Sequence, residues 1–182
     1  QIDIFSGVRF MDYQQALDEG MIVLLGQETD DKFMEHVMSM VNDYDCVKQV
    51  ADRFKVVYTP FHGCGYELVP RALRELGIKH LLCEPEQMVI DGNFPTVKSP
   101  NPENPEGFYL AVELANQNGA DFILGTDPDA DRVGLLIRDK EGQFRPLTGN
   151  QTGVLLLDYL IGAMRRKGTL PEKPVVLKTI VT

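Results

Sequence analysis

From residue 54 onward, strand-like and helix-like segments alternate along the chain, and this alternation is the feature that most restricts the fold. Apolar runs typical of strands occupy residues 54–58, 80–83, 122–125 and 133–137. Helical patterns occupy residues 67–76, 106–118 and 150–166. Strands that alternate with helices of this length indicate an α/β sheet with parallel pairs. We therefore expect a three-layer α/β/α domain with a mixed, mainly parallel four-stranded sheet, in which the last two strands form an antiparallel edge.

The first 52 residues have a different pattern, with helical character at residues 12–19 and 30–50. The apolar run at residues 21–25 between them predicts a short strand. Thr29 and Asp30 are placed to cap the second helix. An apolar stripe at helical spacing usually belongs to a core or an interface, so this part predicts a helical connecting segment rather than chemistry.

Three aspartates at alternate positions, Asp127, Asp129 and Asp131, lie between two strand-like runs. Side chains two apart in an extended backbone point the same way, so these carboxylates should converge. Carboxylates this close raise one another's pKa unless a cation lies among them. Oxygen ligands that leave coordination positions open suit Mg²⁺. The adjacent Arg132 has the guanidinium group that binds phosphate bidentately beside such a metal.

An EF-hand also begins with aspartates at alternate positions, but two residues exclude it. Its sixth loop position needs Gly and its twelfth a bidentate Glu, whereas this chain has Arg132 and Arg138 there. A solvated acidic turn between two strands is the plainer alternative.

The string Gly-Thr-Asp-Pro-Asp-Ala-Asp-Arg at residues 125–132 closely resembles the metal-binding loop of the α-D-phosphohexomutases, the family of phosphoglucomutases and phosphomannomutases. The resemblance implies that Asp127, Asp129 and Asp131 ligate Mg²⁺ and that Arg132 lies near an enzyme phosphoserine. The family interconverts hexose 1-phosphate and hexose 6-phosphate through that phosphoserine and a bisphosphate intermediate. The implied full-length protein is an intramolecular phosphotransferase, an isomerase of carbohydrate metabolism.

Three further segments resemble the family and follow the family order. The first, Thr-Pro-Phe-His-Gly-Cys-Gly at residues 59–65, is interpreted as a tight turn between strand and helix, with His62 as a minor candidate site residue. The second, Pro-Asn-Pro-Glu at residues 100–103, lies in a proline-rich stretch that we interpret as structural. The third, at residues 148–151, contains Thr148 and Asn150 as candidate caps of the last helix.

The resemblance also implies a division of the chain. Residues 1–52 would be the end of a preceding domain with its connecting helices, and residues 53–168 the family's second domain with the metal-binding loop. Residues 169–182 would be a linker and the first strand of a third domain, since the run at 175–182 is rich in β-branched residues. Partners would then be hexose phosphate and the neighbouring domains I, III and IV of a longer chain.

The family's serine segment, Thr-Ala-Ser-His-Asn-Pro, does not occur in the 182 residues, and neither does its sugar-reading Gly-Glu-x-Ser-Gly loop. The phosphate-binding loop of the family's fourth domain is missing too. We therefore predict no catalytic residue in these 182 residues, because the phosphoserine belongs to domain I, and no mutase activity for the chain alone.

Net charge and cysteine content narrow the classes of partner, the kinds of cysteine site and the cell compartment that suit this chain. The formal net charge of −9 argues against nucleic acid and anionic membrane as partners, since both require a basic surface. Cys46, Cys64 and Cys83 are odd in number and widely spaced, which indicates neither a disulfide framework nor a zinc site and favours a reducing cytoplasm. No apolar stretch approaches the roughly 20 residues that span a bilayer.

Two rival enzyme classes also use paired aspartates. A phosphatase of the haloacid dehalogenase type would use the first aspartate as nucleophile and would need a downstream lysine and an acidic pair. An Asp-x-Asp glycosyltransferase would need a nucleotide pocket. Phosphorylation of an aspartate would favour the phosphatase, and binding of a nucleotide sugar would favour the transferase.

Overall fold

The computed structural model describes residues 5–179, which contain six α-helices and one five-stranded sheet. The helices are α1 Tyr13–Asp18, α2 Gln27–Ser39, α3 Tyr44–Lys48, α4 Leu68–Leu76, α5 Tyr109–Asn118 and α6 Gly149–Lys167. The strands are β1 Lys55–Thr59, β2 His80–Cys83, β3 Phe122–Thr126, β4 Val133–Arg138 and β5 Phe144–Leu147. Short 3-10 turns, Cys64–Tyr66 and Pro105–Phe108, precede α4 and α5.

The sheet has the strand order β2-β1-β3-β4-β5 and is mixed. β1 pairs in parallel with both β2 and β3, whereas β4 pairs antiparallel with β3 and with β5. The α/β class and the antiparallel β3–β4 pair are confirmed. The predicted four strands are one too few, and β4 is not the edge. The missed strand, Phe-Arg-Pro-Leu, contains Pro146, which a strand tolerates at the edge of a sheet where one side lacks a partner.

Helices cover both faces of the sheet. The chain moves from β1 to β2 through α4 and returns from β2 to β3 through α5, and right-handed crossovers in opposite directions put these two helices on opposite faces. A cluster of buried apolar residues lies on the α5 side. Its buried members are Val57, Phe61, Val97, Phe108, Ala111, Ala115, Ala120, Ile123 and Leu136. Tyr58, next to Val57, points to the other face, where its hydroxyl oxygen lies against Gly65 before α4.

The ends of the longer helices follow from local sequence. α4 and α5 are followed by Gly77 and Gly119, whose φ angles of 108° and 62° are left-handed, and both helices end where the predicted ranges 67–76 and 106–118 end. α6 begins at Thr148, whose hydroxyl accepts the N–H of Gln151 while the Gln151 side chain accepts the N–H of Thr148. This capping box makes Thr148 the cap rather than Asn150.

Three predictions for the N-terminal part are wrong. Residues 21–25 form no strand, and Met21, Val23, Leu24 and Leu25 are exposed without a pairing strand in the described part of the chain. The expected helix at residues 30–50 is two helices, because Asp43 accepts the N–H groups of the next turn and starts α3.

The predicted cap at Thr29 and Asp30 is also wrong. Both lie in the first turn of α2, which begins one residue after Gly26. Gly26 has no side chain to accept a hydrogen bond from the first turn, so α2 begins without a side-chain cap.

Helix α6 packs against β5 but leaves much of its apolar face in solvent. Val154, Leu155 and Leu156 are each more than half exposed. No strand forms at residues 175–179, and residues 180–182 of the predicted strand lie outside the described residues. Within residues 5–179, no helix is both long and apolar enough to cross a bilayer.

Candidate metal centre

The three aspartates follow the carboxyl end of β3, beside the carboxyl end of the neighbouring strand β1. These strands are parallel neighbours in register, with Thr59 opposite Gly125, so the loops that follow them leave the sheet side by side. We call residues 60–64 the β1 loop and residues 127–132 the aspartate loop. Ligand sites in α/β sheets gather at this carboxyl edge.

The aspartate loop is a tight turn rather than an extended segment. Ala130 has a φ of 60°, and its N–H donates to the carbonyl of Asp127 at 3.0 Å. Thr126, the last residue of β3, shares a 2.9 Å hydrogen bond with the buried Tyr58 hydroxyl below the loop. The turn buries Asp127 and leaves Asp129 and Asp131 exposed, so the three side chains differ in environment.

Asp127 is fixed by Arg132 at two points. Its Oδ1 accepts the backbone N–H of Arg132 at 3.0 Å, and its Oδ2 accepts the Nε–H of Arg132 at 2.7 Å. Burial of Asp127 favours its neutral form, but the hydrogen bonds from Arg132 outweigh burial and lower its pKa below the ordinary range. Asp127 is therefore ionised at neutral pH, the state required of a metal ligand.

The three carboxylates converge in spite of the turn. One oxygen from each of Asp127, Asp129 and Asp131 lies within 4.8 Å of the other two. The negative charge of Asp129, together with that of Asp127, raises the pKa of Asp131 above its ordinary value. A divalent cation among these oxygens would remove that repulsion, and an all-oxygen donor set suits a hard ion such as Mg²⁺ or Mn²⁺. The donor set thus fits the metal predicted from the sequence.

Arg132 lies between the aspartates and an open groove. Its side chain is about half exposed, and its Nε is 3.7 Å from an oxygen of Asp131. The groove, about 430 Å³ in volume, is lined by Arg132, Glu103 and the first residues of α6. The Arg132 side chain thus contacts Asp127 and also lines the groove.

His62 is buried beneath the β1 loop and both of its ring nitrogens are engaged. Nδ1 donates to the carbonyl of Val89 at 2.8 Å, and Nε2 lies 2.9 Å from the Thr96 hydroxyl. These partners belong to the proline-rich connection before α5, and the described contacts of His62 include none to the three aspartates. The structure therefore keeps His62 apart from the ligand set.

Sequence reasoning missed how closely the two loops touch. The N–H of Cys64 donates to the carbonyl of Pro128 at 2.8 Å, and Gly63 packs directly on the Pro128 backbone. The available signal was the pair of glycines Gly63 and Gly65 after β1, which predicts a tight turn between strand and helix. The backbone that Gly63 meets is that of the aspartate loop.

Comparison with known proteins decides the family. Residues 31–142 match the sequence model described as phosphoglucomutase/phosphomannomutase, alpha/beta/alpha domain II, which covers more than half of the chain. This chain belongs to the phosphoglucomutase/phosphomannomutase family. Membership favours the phosphohexomutase interpretation over the phosphatase and glycosyltransferase alternatives.

The curated relatives are longer than the 182 residues of this chain. The phosphoglucomutase of Staphylococcus haemolyticus is 33% identical over 172 residues, covering 94% of this chain and 30% of the relative. The phosphomannomutase of Mycoplasmoides pirum is 30% identical over 177 residues, again covering 94% and 30%. The chain thus spans about 30% of the length of these relatives.

Solved structures of the family share the fold. A phosphoglucomutase/phosphomannomutase family protein from Burkholderia thailandensis matches with a TM-score of 0.56 at 23% identity, over 76% of this chain and 26% of its own. A phosphomannomutase-like protein from Thermus thermophilus matches with the same TM-score at 20% identity, over 76% and 29%. At this identity the likeness supports the α/β fold of the family member and nothing finer.

Proposed function

We propose that this chain is the metal-binding domain of a phosphohexomutase, which interconverts hexose 1-phosphate and hexose 6-phosphate. The convergence of Asp127, Asp129 and Asp131 to within 4.8 Å beside Arg132 is the observation that carries the proposal. The family's phosphoserine mechanism requires negative charge to be stabilised as a phosphoryl group moves, and this loop has the chemistry for that task.

The three aspartates and Arg132 have different roles in the proposed site. The three aspartates hold Mg²⁺, which when bound supplies Lewis-acid stabilisation of a phosphoryl oxygen. Asp127 stays ionised because Arg132 donates to both of its oxygens. A carboxylate has about four lone-pair sites, so these two hydrogen bonds leave Asp127 able to ligate the metal. Arg132 would contact the phosphoserine or substrate phosphate through the groove.

The remaining parts of the site would come from neighbouring domains I, III and IV of the same longer polypeptide. We propose that residues 1–52 connect to domain I, that residues 53–168 form domain II and that residues 169–182 lead into domain III. The free thiols of Cys46, Cys64 and Cys83 favour a cytoplasmic location for that protein. Hexose phosphate is its proposed substrate class.

A metal titration followed by NMR tests the proposal. Mg²⁺ should produce saturable shifts confined to the amides of residues 125–132 in the wild-type chain. Asp129→Asn should abolish them, because it removes one of the three anionic ligands that the described residues bring together. Asp158→Asn makes the same charge change on α6, away from the aspartate loop, and should leave the shifts intact. Shifts that are spread over the acidic surface, or that persist in Asp129→Asn, would refute the site.

A further inference from the structure

We propose that the β1 loop positions the aspartate loop for metal binding, with the backbone of Gly63 and Cys64 as the support against which Pro128 is held. Pro128 is the residue between the proposed ligands Asp127 and Asp129, so a displacement of its backbone moves both. This inference rests on the proposed metal site and assigns Gly63, Cys64 and His62 as positioning residues.

Gly63 is required here for space. A Cβ at this position would lie 2.2 Å from Cα, 2.5 Å from O and 2.7 Å from C of Pro128. All three are backbone atoms, which cannot turn aside as the end of a flexible side chain can. The φ of Gly63 is −97°, a value that any residue adopts. A larger residue would therefore push the aspartate loop away from β1 without straining its own backbone.

Cys64 fixes the distance between the two loops. Its N–H donates to the Pro128 carbonyl at 2.8 Å, a direct backbone bond between the loops. The side chain of Cys64 is exposed. The contribution of this residue to the aspartate loop thus comes from its backbone N–H.

The β1 loop is itself held rigidly enough to serve as a support. Phe61 and His62 both have left-handed φ angles, 46° and 65°, which cost conformational energy in residues other than Gly. Phe61 is buried in the core, with its ring 4.9 Å from that of Phe108 in an edge-to-face contact. His62 is tied to the proline-rich connection through Val89 and Thr96. These contacts hold the strained turn that presents Gly63 and Cys64 to Pro128.

The decisive variant is Cys64→Pro. Cys64 is the first residue of a 3-10 turn, where proline is tolerated, and the preceding Gly63 has the extended backbone that a following proline favours. The substitution therefore removes the N–H that bonds to Pro128 and puts the proline Cδ in the place of that hydrogen, so Pro128 must move away while the β1 loop keeps its own conformation. Cys64→Ser changes the same exposed side chain but keeps the N–H, and is the matched control.

Gly63→Ala provides a second, independent perturbation. Gly92 lies in a loop where a Cβ would meet no atom within 4 Å, so Gly92→Ala is its control. The wild-type chain and the four variants are titrated with Mn²⁺, and free Mn²⁺ is followed by electron paramagnetic resonance. Far-UV circular dichroism and Tm establish that each variant is folded. Hydrogen exchange of the Arg132 amide, which donates to Asp127, reports the loop geometry without metal.

We expect Cys64→Pro and Gly63→Ala to weaken Mn²⁺ binding about 10- to 100-fold, the usual effect of losing a group that orients metal ligands. Both should also speed exchange of the Arg132 amide, while Cys64→Ser and Gly92→Ala behave as wild type. Wild-type Mn²⁺ affinity in folded Cys64→Pro would overturn this inference and leave the proposed function standing. Absence of Mn²⁺ binding in the wild-type chain would overturn the proposed function and this inference with it.

Discussion

Arg132 holds Asp127 from two directions, with its backbone N–H on Oδ1 at 3.0 Å and its Nε–H on Oδ2 at 2.7 Å. The Asp127 side chain is 1% exposed, whereas that of Arg132 is 52% exposed. The backbone bond shapes the turn and persists in any side-chain variant. The guanidinium bond joins a buried anion to a cation that reaches solvent, so it is the part of the pair that a phosphate can compete for.

Arg132→Gln should destabilise the chain at neutral pH and much less in acid. Loss of the guanidinium leaves the buried Asp127 carboxylate with the backbone bond alone, so its lowered pKa should rise toward the ordinary range. A lowered folded-state pKa stabilises the fold above the unfolded-state value of about 3.9, and this stabilisation is lost as pH falls through the folded-state pKa. The difference in free energy of unfolding between wild type and variant should therefore shrink below about pH 4.

Urea denaturation over a series of pH values measures that difference. Arg165→Gln removes the same charge from the exposed end of α6 and should show a small, nearly pH-independent effect. If Arg132→Gln followed the wild-type curve at every pH, the guanidinium bond would have no energetic role in the turn.

Arg138→Met should destabilise the fold by about 2–4 kcal/mol, because it removes a charged donor from three part-buried carbonyl groups at once. Arg138 donates to the carbonyls of Ala120 at 2.9 Å, Gly142 at 2.8 Å and Ala115 at 3.3 Å. Its guanidinium also lies 4.3 Å from the centre of the Phe144 ring. Chemical denaturation measures this loss in the free energy of unfolding.

Arg145→Met on the neighbouring strand β5 is the comparison for this measurement. Arg145 pairs with Asp139 near the surface, and such pairs contribute roughly 0–1 kcal/mol. If Arg138→Met and Arg145→Met lost similar amounts of unfolding free energy, water would be able to replace Arg138 at these carbonyls and the prediction would be wrong.

The sequence predicted those elements whose signals are local. Gly77 and Gly119 end α4 and α5 where expected, since a left-handed residue after a helix strongly favours glycine. Residues 21–25 show the opposite case, because an apolar, strand-like run forms a strand only where a partner edge is available. β5 was missed for the converse reason, since Pro146 opposes a strand but its place at the sheet edge permits one.

The candidate site was predicted in its residue types but not in its geometry. Alternation of Asp127, Asp129 and Asp131 implied side chains on one side of an extended segment, whereas a left-handed Ala130 makes the loop a turn. The carboxylates still converge, with Asp127 inside and the other two in solvent. The support from Gly63 could not be predicted from spacing, because it joins two loops that are distant in sequence through the register of β1 and β3.

The 182-residue chain should show no phosphoglucomutase turnover. None of its serines lies in the family's Thr-Ala-Ser-His-Asn-Pro segment, so these residues supply no group to donate or accept the phosphoryl. A coupled assay with glucose 1-phosphate and Mg²⁺ should give the same background rate for wild type and Asp127→Asn. A wild-type rate clearly above that of Asp127→Asn would contradict the prediction.

Asp131→Asn should raise Tm at neutral pH in the absence of metal and lower the affinity for Mg²⁺. The charges of Asp129 and Asp127 raise the pKa of Asp131, so its ionised form is a source of repulsion in the folded chain. A raised folded-state pKa of an acid destabilises the fold at pH values above it. The penalty disappears below the unfolded-state value of about 3.9, where the carboxyl is protonated in both states. The Tm advantage of Asp131→Asn should therefore vanish in acid.

Saturating Mg²⁺ should reverse the order of stability at neutral pH. A ligand that binds only the folded state stabilises it by an amount that grows with the logarithm of the ratio of ligand concentration to Kd. Wild type retains all three anionic ligands, so Mg²⁺ should bind it more tightly and stabilise it more than Asp131→Asn. Differential scanning fluorimetry with and without Mg²⁺ measures the Tm difference between wild type and Asp131→Asn under both conditions. Asp91→Asn, in the connection after β2, should show neither effect. If Asp131→Asn lowered Tm without metal, the Asp131 carboxylate would stabilise the fold and the prediction would be wrong. If Mg²⁺ reverses the order of the two Tm values, the chain keeps a destabilising carboxylate because metal binding requires it.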